Sequence, residues 1–222
     1  MSDIFQEVDE EVRRDKAAEF WKKYQNLIMA AAALVVLASA GFRYWQYERE
    51  KAEQAAGDQF QQALTALEAG KLDEAKAGLD TIAAQGPTGY RALAQMAAAG
   101  AKASSDPQGA IGAFDAVAGD AAIDPLLRGA ARLRAALIRV DIPGERQKGE
   151  ADLTALSAEN GPYRRLAALA LGALALERKD YDDAAKQFDF VLGDPEVSPS
   201  ERQAASRWLG LIASNRSAAP AK

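Results

Sequence analysis

The sequence predicts an all-α protein: a single N-terminal transmembrane helix, followed by an array of about four helical hairpins and a capping helix. One apolar run, residues 27–42, is long enough to begin the case for a membrane span. The rest of the chain is rich in the helix formers Ala, Leu, Glu, Arg, Lys and Gln, and no stretch alternates like a strand. Gly and Pro breakers recur about every 35 residues, which indicates repeated hairpins.

The N-terminal segment, residues 1–24, mixes acidic and basic residues and is predicted to be cytoplasmic. The transmembrane anchor follows at 25–45. The apolar run alone would be short for a hydrocarbon core of about 30 Å, but aromatic rings at the headgroup level extend the helix to about 33 Å. The predicted interface residues are Trp21, Tyr24, Arg43, Tyr44 and Trp45.

Two other interpretations of this run stay open. Ala38, Ser39 and Ala40 form a small-x-small triplet of the kind after which a signal peptidase cuts. An Ala-rich apolar helix also occurs inside soluble proteins. The mixed charges before the run favour the anchor, because the corresponding region of a signal peptide is usually basic.

Lys and Arg predict the orientation of the span. Residues 10–24 contain five of them and residues 46–60 contain two, so the N-terminus is expected to stay in the cytoplasm. A helical connector, residues 46–56, then leads into a domain on the far side of the membrane. The predicted location is a bacterial inner membrane, with a single pass and the C-terminal domain in the periplasm.

Composition removes several classes of function. The chain contains no Cys and no His, so thiolate catalysis, imidazole acid–base catalysis and the common zinc sites are excluded. From residue 46 onward, 21 Lys and Arg face 25 Asp and Glu, a formal charge of −4, which disfavours a nucleic-acid surface. Asp180, Asp182 and Asp183 suit the first turn of a helix better than a cation site. We expect no enzymatic activity, no cofactor and no small-molecule substrate.

The hairpin array is predicted over residues 57–214, before a disordered tail at 215–222. Each period begins at a turn and places a small residue four positions before a large apolar one, as in GKLDEAKAGL (70–79) and KDYDDAAKQF (179–188). Such a pair lets two antiparallel helices approach closely. The first helices are predicted at about 54–69, 88–103, 125–140 and 162–178, and the capping helix at about 199–214. The predicted packing residues are Ala75, Leu79, Ala110, Phe114, Gly149, Leu153, Leu171, Gly172, Ala184 and Phe188.

This pattern resembles the tetratricopeptide repeat, W-x2-L-G-x2-Y, then A-x3-F, then P. The fourth period fits best, with Leu171 and Gly172 at the Leu-Gly pair and Ala184 and Phe188 at A-x3-F. No period has the Trp or the Tyr, and the third, with Gly149, is the most divergent.

Together with the N-terminal segment SDIFQEVDEEVRRDKAAEFWKKY and the N-in span, the array is similar to the YfgM-like family, ancillary to the SecYEG translocon. That resemblance implies an inner-membrane accessory of protein export. It implies as partners the Sec translocon, a membrane-anchored periplasmic prolyl isomerase and newly exported polypeptides. The alternative is a membrane-anchored scaffold for another envelope complex, in cytochrome maturation, cell division or stress signalling.

Candidate protein-binding residues lie on the first helices. Arg128, Arg132 and Arg139 share one side of the helix from 125 to 140, where they either meet acidic segments of a partner or form a solvated face. Two tyrosines, each followed by an arginine, either anchor an interface or pack against the preceding hairpin. These residues are Tyr90, Arg91, Tyr163 and Arg164.

Overall fold

The computed structural model describes residues 3–218, and the side chains of residues 21–27 and 29–215. Within that part of the chain the structure is all-α, with nine helices and no strand, which confirms the predicted fold class. The helices are α1 Asp3–Glu68, α2 Leu72–Gln85, α3 Thr88–Lys102, α4 Pro107–Gly119, α5 Pro125–Arg139, α6 Arg146–Ala158, α7 Arg164–Glu177, α8 Tyr181–Gly193 and α9 Pro199–Ala218.

The chain divides into two units, residues 1–54 and residues 55–222, which are described separately. In the first unit, the described side chains of the apolar run of α1 are exposed, with Leu34, Val36 and Leu37 between 66% and 73%. No described residue in the most apolar 18-residue window of α1 is buried. An apolar helix without a core to cover it is compatible with a single-pass membrane anchor.

The second unit consists of hairpins in chain order. The last turns of α1 pair with α2, and the pairs α3–α4, α5–α6 and α7–α8 follow, each packing against the next. Helix α9 packs against α8 at the end of the array and extends from Pro199 to Ala218, beyond the predicted end at 214. Of the predicted tail, residues 219–222 lie outside the described residues.

The ten predicted packing residues are all buried. The residues of the small-then-large pairs therefore lie in the contacts between helices. Gly172 of α7 faces the ring of Phe188 on α8, where an added Cβ would lie 2.6 Å from Cε1. Gly149 of α6 lies on the backbone of α5, where a Cβ would be 2.9 Å from the Ala136 carbonyl oxygen. Small residues at these points therefore set the distance between paired helices.

Capping side chains determine where several helices begin. Asp106, Asp124 and Asp180 accept hydrogen bonds from the backbone N–H groups of Gly109, Leu126 and Asp183, at 2.9, 2.8 and 3.1 Å. These bonds satisfy amides that the helix itself leaves unpaired. A reciprocal pair forms before α9, where Ser198 and Glu201 each accept the other's backbone N–H. Asp180 is thus an N-cap, and Asp182 and Asp183 lie in the first turn of α8.

The first and fourth hairpins turn in the same way. Gly70 follows α1 with φ of 73°, and Lys179 occupies the equivalent position after α7 with φ of 60°. In both turns the next backbone N–H, that of Lys71 or Asp180, donates to a carbonyl five residues earlier. Left-handed backbone is natural for glycine and strained for lysine.

Candidate protein-binding surface

The two predicted tyrosine anchors pack inside the array. Tyr90 lies against Gly57, where an added Cβ would be 2.8 Å from the phenol oxygen, and its ring meets Phe60 edge to face at 6.3 Å between centroids. Tyr163 covers Gly129 in the same way, and its hydroxyl donates to the carbonyl of Leu126 at 3.0 Å. Burial, and then the charge of Asp124, raise the pKa of Tyr163. Both rings therefore hold successive first helices together. Of the two interpretations of these tyrosines, packing against the preceding hairpin is the one that the contacts match.

The predicted arginine stripe of α5 is not a free face. Arg132 pairs with Glu159 at 2.9 Å, and the Nε of Arg128 is shielded from solvent without a hydrogen bond among the described residues. Arg139 is only 3% exposed. On the opposite side of α5, Leu133 and Val140 are buried and Leu137 packs partly against the core, whereas Leu126 at the start of the helix is 53% exposed. Arg139 is buried because α5 packs between two neighbours, α4 and α6.

Arg139 is the centre of an ion cluster between two hairpins. Its guanidinium contacts Asp115 of α4, Asp152 of α6 at 3.0 Å and Glu145, just before α6, at 3.5 Å. Each of these carboxylate side chains keeps about a third or more of its surface exposed. Three acids around one buried cation compensate its desolvation, so this residue ties the second hairpin to the third and is not available to a partner.

Arg164 is also engaged within the chain. It contacts Asp194 at 2.6 Å and the Asn160 side chain at 2.6 Å, while Arg165 bonds to Glu201 of α9 at 3.2 Å. Hydrogen bonding from Arg164 is the main effect that holds the pKa of Asp194 below its usual range, against its burial. Burial raises the pKa of Glu201, but bonds from Ser198 and the charge of Arg165 outweigh it, so the net shift is downward.

The remaining open surface of the first helices is mostly apolar. Arg91 is exposed and, among the described residues, bonds to Thr88 of its own turn at 3.2 Å and to no other side chain. On α5 and α7 one side is exposed or half-buried: Leu166 is 42% exposed, while Leu137 and Leu169 pack partly against the core. We call this the first-helix surface. Its residues are Ala130, Arg134 and Leu137 of α5, and Leu166, Leu169 and Ala173 of α7.

Two depressions adjoin these helices. One, of about 290 Å³, lies beside Tyr163 and is lined by Pro125, Leu126 and Leu156. A more open one, of about 560 Å³, runs between the ends of α6 and α8 and contains Phe190, which is 45% exposed. Within the part of the chain that the structure describes, no group of acidic residues could hold a metal ion.

The predicted membrane-interface residues all lie on α1. Trp21, Tyr44 and Trp45 are 54%, 68% and 56% exposed, Arg43 is exposed and Tyr24 is half-buried. Arg49 stacks over Trp45, with its guanidinium carbon 5.6 Å from the ring centroid. Exposed rings at both ends of an apolar run suit the interfaces of a bilayer.

Sequence reasoning missed the ion cluster of Arg139, the ion pairs of Arg164 and Arg165, and the exposed Phe190 and Trp208. Arg139 follows Ala135 and Ala136 by four and three residues and shares their face, but only the structure shows that this face is buried. The partners of Arg164 and Arg165 lie about 30 residues further along the chain, beyond any local pattern.

Comparison with known proteins gives one family. The model of the tetratricopeptide repeat-like domain matches residues 18–160, which is more than half of the chain. The match begins before the apolar run and ends after the third hairpin. Neither a curated protein nor a solved structure matches the chain.

Proposed function

Because the chain belongs to the tetratricopeptide repeat-like domain family, whose helical arrays serve protein–protein interaction, we propose that it is a membrane-anchored binding protein of the export machinery. In this proposal residues 25–45 span a bacterial inner membrane, the array lies in the periplasm, and it binds the Sec translocon, an envelope chaperone with prolyl isomerase activity and emerging polypeptides. The protein is not an enzyme.

The observation that carries the proposal is the accessible apolar part of the first-helix surface, which is centred on Leu166. Leu166, Leu169 and Ala173 lie at i, i+3 and i+7 on α7; Leu166 is 42% exposed and the other two are half-buried. Apolar side chains that a folded domain leaves accessible on one face of a repeat array mark a binding surface for protein. Arg134 adds a positive charge to this surface on α5.

The membrane anchor makes weak binding by this surface effective. Exposed aromatic residues flank an apolar run with no buried described residue, which supports a span and not a core helix. A tethered binder works at a high effective concentration, on the order of millimolar for a short connection, so weak contacts with passing chains suffice.

Topology is tested first. A reporter that is active only in the periplasm should be active when fused after residue 216 and silent when fused after Tyr24. Activity at Tyr24 would refute the orientation, and a mature chain that begins at Gly41 would show that the segment is a cleaved signal.

Partner binding is tested by photo-crosslinking in intact membranes. Photoreactive residues at Arg134 and Leu166 should capture translocon subunits, a periplasmic prolyl isomerase or exported chains. The matched control, Lys148 on the exposed side of α6, should capture much less. Capture of one dedicated envelope complex and no export component would replace this proposal with the scaffold function.

A further inference from the structure

Helix α9 repeats the sequence of α7. Aligned 38 residues apart, ASRWLGLIAS (205–214) and AALALGALAL (167–176) share Ala, Leu, Gly and Ala at four positions and have Ile212 where α7 has Leu174. The face towards the preceding hairpin is equally buried in both helices, since Ala167 and Ala205 are both 0% exposed and Leu174 and Ile212 are 5% and 2% exposed. On this face, α9 therefore packs as a first helix of a hairpin does.

On α7, the face next to these residues packs against α8, the second helix of the hairpin. Gly172 at its centre is where the ring of Phe188 comes closest, and Ala168 and Ala175 beside it are buried. The equivalent residues of α9 are Ser206, Gly210 and Ala213, all exposed, and nothing lies within 4 Å of a Cβ built on Gly210. Next to this open face Leu211 is 44% exposed. Among the described residues, no helix covers it.

The charges of α9 indicate which helix would fit. Arg202 and Arg207 are exposed and have no ion pair among the described residues. The acid of the first turn, Glu201, is already held by Arg165 and Ser198. The face is thus apolar and small at its centre and basic at its side, which is complementary to an acidic amphipathic helix.

The helix that occupies this position on α7 has that character. Helix α8 carries three aspartates and one lysine, with Ala184 four residues before Phe188. A second copy of the chain is a poor occupant, because its own α8 is used, with Ala184 and Phe188 0% exposed. Two α9 helices would place basic stripes against each other.

We infer that the open face of α9 is a docking site for an acidic amphipathic helix of another protein, which contributes a large apolar side chain at Gly210 and completes a fifth hairpin. The site is separate from the first-helix surface, so binding here does not compete with binding of polypeptides there.

The test uses the full-length protein in detergent micelles and a fluorescent peptide of residues 179–193 of this chain, held helical by a staple on its solvent-facing side. Fluorescence anisotropy should show saturable binding that weakens as salt is raised. Gly210→Leu should weaken it about tenfold or more, because the Leu side chain fills the space for the incoming residue. Gly112→Leu is the matched control, since Gly112 is also an exposed helical glycine with nothing within 4 Å.

Changes in the peptide test the chemistry. Replacing its Phe188 with Ala, or the three aspartates of its α8 part with Lys, should each weaken binding about tenfold or more. Absence of binding, or binding that Gly210→Leu leaves unchanged, would show that α9 is an ordinary cap and overturn the inference. A shift from dimer to monomer on Gly210→Leu, measured by light scattering, would make the occupant a second copy and overturn the assignment of the partner.

Discussion

The contact between Gly172 and Phe188 sets how closely the fourth hairpin can pair, and Gly172→Ala tests it. An added Cβ would lie 2.6 and 2.7 Å from two ring carbons, about 1 Å inside normal contact. Overpacking of this kind costs about 1–3 kcal/mol, and the double clash with a fully buried ring places it near the upper end. Helix propensity returns about 1 kcal/mol when Gly becomes Ala. The free energy of unfolding should therefore fall by about 2 kcal/mol.

Gly112→Ala is the control, because Gly112 lies inside α4 with nothing within 4 Å. It gains the same propensity without a clash, so its free energy of unfolding should rise by about 1 kcal/mol. Both are measured by urea unfolding of residues 50–222, which we expect to fold without the span, with helicity followed by circular dichroism.

A double variant identifies the cause. If the ring is responsible, Gly172→Ala combined with Phe188→Leu should cost less than the sum of the two single changes, with a coupling of about 1 kcal/mol or more. Equal stabilisation by Gly172→Ala and Gly112→Ala would refute the reasoning, because it would mean that Phe188 does not press on Gly172.

Three further predictions concern charge and turns. Arg139→Met should lower the free energy of unfolding by about 2 kcal/mol, because it removes the hydrogen bonds of a buried cation and leaves three part-exposed carboxylates close together. Arg132→Met should cost less than about 1 kcal/mol, because its pair with Glu159 is exposed. The same urea titrations measure both, and equal costs would contradict the ion cluster. Lys179→Gly should raise Tm, because relief of the left-handed backbone adds about 0.5–1 kcal/mol to the free energy of unfolding. Gly70→Lys should lower Tm, because it removes a similar free energy. No change in either variant would argue against the shared turn. The lowered pKa of Asp194 means that its contribution is present above the unfolded carboxyl pKa of about 4 and is lost as the pH falls through the folded value. The stability difference between the wild type and Asp194→Asn should then be constant from pH 7 to about pH 5 and shrink in acid, and a difference that already shrinks near neutral pH would contradict this assignment.

The hairpin boundaries could be predicted because their signals are local. Gly86 with Pro87 and Gly161 with Pro162 stop helices wherever they occur, and Asp180 caps a helix through an amide three residues away. The small-then-large pairs are also local signals, because a residue such as Ala184 packs against the other helix of its own hairpin.

The surface could not be predicted in the same way, because it depends on contacts between hairpins. Which side of α5 faces α4 is not visible in its sequence, so the stripe of arginines was predicted to be open to a partner or to solvent, whereas Arg139 lies buried between helices. Tyr163 carries no local sign that it covers Gly129, 34 residues earlier. The open face of α9 could not be predicted either, because the sequences of α9 and α7 are similar and only the burial of their residues differs.

The ion cluster of Arg139 also determines where the array can be shortened. A chain that ends after α4 leaves Asp115 at a water-exposed edge, where a lone carboxylate is solvated at little cost. A chain that ends after α5 keeps the guanidinium of Arg139 without Glu145 and Asp152, two of its three acids. Ending after α5 also uncovers Leu133 and Val140, which pack against α6 in the whole chain. Soluble fragments that begin near residue 50 should therefore end near residue 119 or near residue 158, and a fragment that ends at 140 should be degraded.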